Sequence, residues 1–311
     1  MDLDIASSFL GRDIVSMKEL SREEIDFILD RATEMEPIAD RGSDMLRGRI
    51  MATLFFEPST RTRLSFESAM LRLGGGVIGF AEPGVSSVAK GESLRDTIKT
   101  VENYSDIIVI RHYEDGAARV AADAAGIPVI NAGSGSLEHP TQALLDLHTI
   151  RAAKGRIDGL KVALLGDLLY GRTVHSLLYA LSNYDVKVFL VSPERLRFRR
   201  DLLKELEGKI EYEEIDDLYR CLEEIDVLYV TRIQKERFPD LREYEKLKDS
   251  YIITRETLRH AKRDLIIMHP LPRVTEISTD VDDTPNAWYF KQMRHGLYVR
   301  MALLSLILGG R

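Results

Sequence analysis

Ser59, Thr60, Arg61, Thr62 and Arg63 place three hydroxyls and two guanidinium groups in five consecutive residues. They sit inside FFEPSTRTRLSFE (Phe55–Glu67), where an apolar run gives way to helical spacing: Phe66, Ala69, Met70 and Leu73 recur at three- and four-residue intervals. A helix start exposes backbone N–H groups with no partner inside the helix, and the helix dipole adds positive potential there. Hydroxyls add donors, and a guanidinium matches a phosphate with two parallel hydrogen bonds. A plain cap would use Ser59 or Thr60 alone and would need neither arginine. The grouping therefore points to a phosphate site.

Other chemically able residues follow apolar runs in the same way. Arg111 ends DIIVI, Asp167 follows KVALLG, Thr231 and Arg232 follow DVLYV, and His269 follows LIIM. In open α/β sheets, ligands bind beyond the carboxyl ends of the strands, which is where this chain places its arginines. His139 ends a loop ahead of Pro140 and Gln142, so its ring can face a cleft instead of a core. GDLLYGRT (Gly166–Thr173) differs from the nucleotide phosphate loop, Gly-x4-Gly-Lys-Thr, by Arg172 in place of lysine. Against nucleotide hydrolysis, no acidic magnesium ligand ends a later apolar strand; Thr231 and His269 stand there. The GDLLYGRT loop does not carry the dinucleotide pattern Gly-x-Gly-x-x-Gly.

The elements that must position these residues read as alternating strands and helices. Strands are predicted at Arg49–Phe56, Val77–Phe80, Asp106–Ile110, Pro128–Asn131, Lys161–Leu165, Val186–Val191, Val227–Thr231 and Leu265–Met268. Helices are predicted at Leu64–Leu73, Pro140–Ala153 and Thr173–Ser182, with Gly74–Gly76 ending the first and Pro140 suited to a first helical turn. This alternation predicts α/β architecture with two domains, each a mainly parallel sheet flanked by helices. The expected division is 1–138, 139–292, and a C-terminal helix over 293–311 that packs back on the first domain.

Together these segments resemble the aspartate/ornithine carbamoyltransferase family over essentially the whole chain. Ser59–Arg63 resembles its carbamoyl phosphate motif, His139–Gln142 its His-Pro-x-Gln motif, and HPLPRVTEI (His269–Ile277) its Pro-Leu-Pro loop. GDLLYGRTVHS and TRIQKER are similar to the aspartate-using branch. The ornithine branch's His-Cys-Leu-Pro and Asp-x-x-x-Ser-Met-Gly motifs are missing. The resemblance implies transfer of a carbamoyl group from carbamoyl phosphate to the amine of L-aspartate, giving N-carbamoyl-L-aspartate and phosphate early in pyrimidine biosynthesis. A carbamoyltransferase with another amine acceptor is the alternative. It assigns residues 1–138 to carbamoyl phosphate and 139–292 to aspartate. Ser59, Thr60, Arg61, Thr62, Arg111, His139, Gln142, Leu271 and Pro272 would bind carbamoyl phosphate, with Arg61, Thr62, Arg111 and His139 catalytic. Arg172, Arg232 and Gln234 would bind aspartate. Ser86 and Lys90, in the polar loop PGVSSVAKGES, would reach a neighbour's active site, making the enzyme a homotrimer with shared sites. A separate regulatory chain is compatible with this picture. The resemblance also suggests a cis Leu271–Pro272 bond.

Composition fits these expectations. The chain has 311 residues, 44% hydrophobic and 30% charged, as in a globular protein large enough for two cores. A formal net charge of −7 argues against a general nucleic-acid binder. The single cysteine, Cys221, forms no internal disulfide, which suits a reducing cytoplasm, and its neighbours give it no nucleophilic context. The N-terminus lacks a signal-peptide pattern. The apolar stretch Leu297–Leu308 is too short to span a membrane and is interrupted by Arg300. The seven histidines lack zinc-ligand spacing, so no metal and no cofactor are expected.

Overall fold

The computed structural model describes residues 2–81, 91–233, 241–247 and 250–310. By internal contacts the chain forms two units: Met1–His148 together with Arg294–Arg311, and Thr149–Met293.

The first unit opens with helices α1 (Asp2–Ser8) and α2 (Arg22–Arg41). Ser21 and Glu24 start α2 with a reciprocal capping box, satisfying two N–H groups that the helix itself cannot. Then come β1 (Ile50–Phe55), α3 (Thr60–Arg72), β2 (Gly76–Phe80), α4 (Leu94–Val101), β3 (Ile107–His112), α5 (Ala117–Ala124), β4 (Val129–Ser134) and α6 (Pro140–Lys154). The sheet is parallel, in the order β2-β1-β3-β4. β1 is buried along both faces after its first residue, as a central strand covered on each side must be. Ala52, Leu54, Ile108 and Ile110 pack with Ile98, Ala118 and Ala121 of the flanking helices.

The second unit contains β5 (Lys161–Leu165), α7 (Arg172–Leu181), β6 (Lys187–Val191), α8 (Arg200–Glu205), β7 (Glu211–Ile215), β8 (Val227–Val230), α9 (Leu241–Leu247), β9 (Ile266–Met268) and the start of α10 (Tyr289–Leu308). Its sheet is also parallel, in the order β7-β6-β5-β8-β9. Leu165, Val191, Leu228, Val230 and Ile267 share one core with Tyr289.

Both sheets reverse their winding at an interior pair of strands. The first winds from β1 outward to β2 and then restarts at β3 on the other side of β1. The second winds from β5 through β6 to β7 and restarts at β8. Connections diverge at such switch points and leave a crevice at the carboxyl ends of the strands.

The unit boundary falls inside α6, after His148, not in the glycine-rich segment near residue 138. His139 and Gln142 therefore belong to the first unit. The C-terminal helix starts at Tyr289, ahead of the expected apolar stretch, and from Arg294 onward it belongs to the first unit, where Arg294 pairs with Asp40. Among the described residues no helix is long and apolar enough to cross a membrane.

Candidate active site

The Ser59–Thr62 segment lies just past the carboxyl end of β1, at the switch point of the first sheet. Ser59 occupies the N-cap position of α3 in extended geometry, yet its side chain makes no capping hydrogen bond. The hydroxyl is not consumed by the helix, which separates this site from an ordinary cap. Thr60 and Arg61 are exposed and Thr62 is buried. Arg63 forms an ion pair with Glu67, one turn further on, at 3.0 Å.

Arg111 stands near the end of β3, the strand beside β1. Its Nη1 donates to the Ala132 carbonyl at 3.3 Å, and its Nε lies 3.4 Å from Oε2 of Glu57. Glu57 therefore orients the guanidinium, as a carboxylate between β1 and α3 can. Next to Arg111, His112 accepts from the Glu114 N–H at Nδ1 (3.0 Å). Burial holds the His112 ring below its usual pKa, against the opposing pull of Glu114 and Glu57.

His139, buried, enters α6 from the loop after β4. That loop is held at several points. Asn131 Oδ1 accepts from the Gly133 N–H (2.9 Å) and Ser134 Oγ (3.0 Å), while its Nδ2 donates to the Val15 carbonyl (2.9 Å). Glu138, the residue before His139, accepts from Ser16 Oγ at 2.6 Å and the Met17 N–H at 2.9 Å. One turn into α6, the Nε2 of Gln142 donates to Asp146 Oδ1 at 2.9 Å. The sheet thus carries Ser59–Thr62, Arg111 and His139 on three successive strand ends, β1, β3 and β4.

In the second unit, the loop after β5 meets the end of β8. Gly166 has φ +118°, and a Cβ there would lie 2.3 Å from the Thr231 carbonyl oxygen, so only glycine fits. The Asp167 N–H donates to Thr231 Oγ1 (3.2 Å), which in turn donates to the Leu165 carbonyl (3.1 Å). Asp167 is fully buried, and its Oδ1 accepts from the Tyr170 N–H at 2.9 Å. A nucleotide phosphate loop needs its N–H donors for phosphate; here the loop's own carboxylate takes one of them and adds negative charge. The nucleotide resemblance of GDLLYGRT thus fails on local chemistry. Arg172 opens α7 after this loop, and Arg232 lies two residues past β8. Both arginines are half-buried and flank the β5/β8 switch point.

The segment after β9 is tied by one buried pair. The His269 N–H donates to Gln292 Oε1 (2.9 Å), and its Nδ1 accepts from the Leu271 N–H (2.7 Å). An imidazole that accepts at Nδ1 carries its proton on Nε2, which lies 2.7 Å from Glu276 Oε1. The other oxygen of Glu276 accepts from the Val274 and Thr275 N–H groups, each at 3.0 Å. Leu271 has φ +55°, and the Leu271–Pro272 bond is cis. Arg273, the arginine of this loop, is engaged with Asp282 (Nη2–Oδ2 2.6 Å) and lies over the Tyr289 ring.

Ser86, Lys90 and Gln234 lie outside the described residues. Sequence reasoning passed over Asp146, Arg300 and Glu276, whose partners are set by the fold. Glu276 offered a partial signal, standing in the same short motif as His269.

Comparison with known proteins agrees with this layout. Residues 12–152 match the family "Aspartate/ornithine carbamoyltransferase, carbamoyl-P binding domain", and residues 158–307 match "Aspartate/ornithine carbamoyltransferase, Asp/Orn binding domain". The chain is 57% identical over 307 residues to the aspartate carbamoyltransferase catalytic subunit of Methanopyrus kandleri, covering 98% of this chain and 99% of that one. It resembles the crystal structure of aspartate transcarbamoylase from Trypanosoma cruzi in complex with carbamoyl phosphate and aspartate, with TM-score 0.94 and 42% identity over 97% of this chain and 98% of that one. The catalytic subunit of M. jannaschii aspartate transcarbamoylase matches with TM-score 0.88 and 56% identity over 95% and 97% of the two chains. With both halves of the family matched in order and identity above one half across nearly its full length, this chain belongs to the aspartate/ornithine carbamoyltransferase family.

Proposed function

We propose that the chain transfers the carbamoyl group of carbamoyl phosphate to the amine of L-aspartate. The observation that carries the acceptor is the placement of Arg172 and Arg232 after β5 and β8, the two strands at the switch point of the second sheet. Two guanidiniums suit a substrate with two carboxylates, whereas the cationic side chain of ornithine calls for an acidic or neutral pocket. Gln234 assists Arg232. On the other side of the reaction, Ser59, Thr60, Arg61 and Thr62 bind the phosphate at the start of α3. Thr62, Arg111 and His139 donate to the carbamoyl carbonyl oxygen. Gln142 accepts from the carbamoyl NH2, and Leu271 and Pro272 present carbonyl groups to substrate N–H.

The chemistry is an addition and an elimination. The aspartate nitrogen forms a bond to the carbamoyl carbon, and the carbonyl oxygen takes up negative charge. Donors preorganised around that oxygen stabilise this state more than the ground state. The bond from carbon to the phosphate oxygen then breaks, and the departing phosphate carries off its electron pair together with the amine proton. Arg61 offsets the charge on the leaving group. Holding two anions within reach of each other is the larger part of the work.

The active enzyme is a cytoplasmic homotrimer in which Ser86 and Lys90 complete a neighbour's site, and a separate regulatory chain can join it. The support for the shared site is the family resemblance and a lysine-bearing polar loop. The deciding assay measures carbamoylated product with aspartate and ornithine side by side. Aspartate is expected to be preferred by orders of magnitude; preference for ornithine refutes the assignment.

A further inference from the structure

Arg300 is a cation that the reaction described above does not use. It lies on α10 and is buried. Its Nη1 donates to Ser65 Oγ at 2.8 Å, and its guanidinium carbon sits 5.0 Å from the centre of the Phe66 ring. Both partners lie on α3, within four residues of Thr62. Burial pulls the Arg300 pKa down to about 10, opposed by the carboxylate of Asp146, so it remains a cation at neutral pH. Gly296 makes room for it: a Cβ at that position would lie 2.8 Å from Arg300 Nη1 and 3.1 Å from Leu145 Cδ2.

Asp146 is fully buried on α6, and its Oδ1 accepts from Gln142 Nε2 at 2.9 Å. A carboxylate can only accept, so it must face the NH2 corner of the Gln142 amide. The corner left to face a ligand is then the oxygen, an acceptor. With a neutral or donating neighbour, the amide could turn and present NH2 instead. Buried charges are often no better for stability than well-packed apolar residues of similar volume. A role in setting the polarity of Gln142 gives Asp146 a function that stability alone does not.

We propose that Asp146 is a specificity-determining positioning residue that fixes the Gln142 amide oxygen to read the NH2 of carbamoyl phosphate. The inference rests on the functional reading above. It makes the site discriminate between an acyl phosphate bearing NH2 and one bearing CH3, since the methyl group leaves the oxygen of Gln142 without a donor.

The test compares the half-saturating concentration of carbamoyl phosphate with the inhibition constant of acetyl phosphate. Inorganic phosphate serves as a probe that cannot engage the amide. Asp146→Ala would leave the buried Arg300 without the carboxylate that favours its charged form, so the main variant is D146L/R300M, which removes both charges at similar volume. Its preference for carbamoyl over acetyl phosphate should fall on the order of tenfold, the effect of one lost hydrogen bond, while phosphate inhibition stays within about threefold. Q142L should lose the same preference. The triple variant should lose no more than either, because the two changes remove one interaction. Wild-type discrimination in folded D146L/R300M, or multiplying losses in the triple variant, would each overturn the inference. A wild type that makes no carbamoyl aspartate would instead overturn the functional reading, and this inference with it.

Discussion

Glu276→Gln changes one atom and should be costly. The wild-type carboxylate accepts three N–H groups: His269 Nε2 at 2.7 Å on one oxygen, and the Val274 and Thr275 amides at 3.0 Å on the other. Glutamine offers one acceptor oxygen. Turned toward the two amides, it sets its NH2 against the His269 Nε2–H. The ring cannot move that proton to Nδ1, which already accepts from Leu271 at 2.7 Å. One buried donor is left unmade, at about 1–3 kcal/mol, and the two remaining bonds lose the assistance of charge. The sum is about 2–5 kcal/mol, which lowers the melting temperature by roughly 3–8 °C in a chain of this size. The pH dependence has a definite sign. Burial pushes the Glu276 pKa up, but the hydrogen bonds from His269 and the backbone N–H groups outweigh it, leaving it below the ordinary 4.5. A depressed carboxylate contributes stability that is fully present above about pH 4.5 and lost as pH falls through the folded value. Calorimetry of both proteins at pH 7 and in acid should therefore show a gap that narrows below that point. Half-saturation by carbamoyl phosphate should also rise, because the Leu271 anchor loosens. Melting within about 1 °C of wild type at pH 7, or a gap unchanged in acid, refutes the argument.

Other expectations follow from the site. Arg61→Ala should lower turnover by about 10²–10³, the scale for losing one preorganised charge-stabilising donor, with a smaller change in substrate half-saturation; an effect confined to half-saturation would mean ordinary binding. If sites are shared, Arg61→Ala and Lys90→Ala chains, each nearly inactive, should regain about a quarter of wild-type activity after dissociation, equal mixing and reassembly. The fraction follows because about three quarters of randomly mixed trimers are hybrids and each closed ring then holds one intact site of three; confirmed exchange with parental activity means that Lys90 serves its own chain. Burial first, then Glu224, Glu213 and Asp217, push the Cys221 thiol up to about 12. The native protein at pH 8 should resist a disulfide-exchange reagent, and rapid labelling would show an accessible thiolate.

Several of these features are legible in the chain itself, because they depend on neighbours in sequence. The junction at Ser59–Thr62 and the strand at Lys161–Leu165 emerge from local apolar runs and spacing. Other elements escape the same reading. The Ser21–Glu24 capping signal of α2 stands in plain view. β7, by contrast, is EYEEI, a charged edge strand paired only with β6, without the apolar content that marks a buried strand. The unit boundary leaves no composition break, because α6 runs through it as one helix.

What sequence alone determined was which residue types stand at the strand ends, and hence the family and the places proposed for phosphate and for the two carboxylates. What only tertiary structure decided was the state of each group. In sequence Arg63 is one more arginine of the phosphate motif; in the fold it is paired with Glu67 at 3.0 Å. Ser59 holds a cap position without capping. GDLLYGRT could pass for a nucleotide loop until the Asp167 carboxylate is seen to take its Tyr170 N–H. Arg300 reads as an interruption in an apolar helix until Ser65 and Phe66 close around it. The physical reason is the same in each case. Spacing along a chain reports short-range backbone geometry, whereas hydrogen-bond satisfaction and charge pairing depend on atoms that only folding brings within about 3 Å of each other.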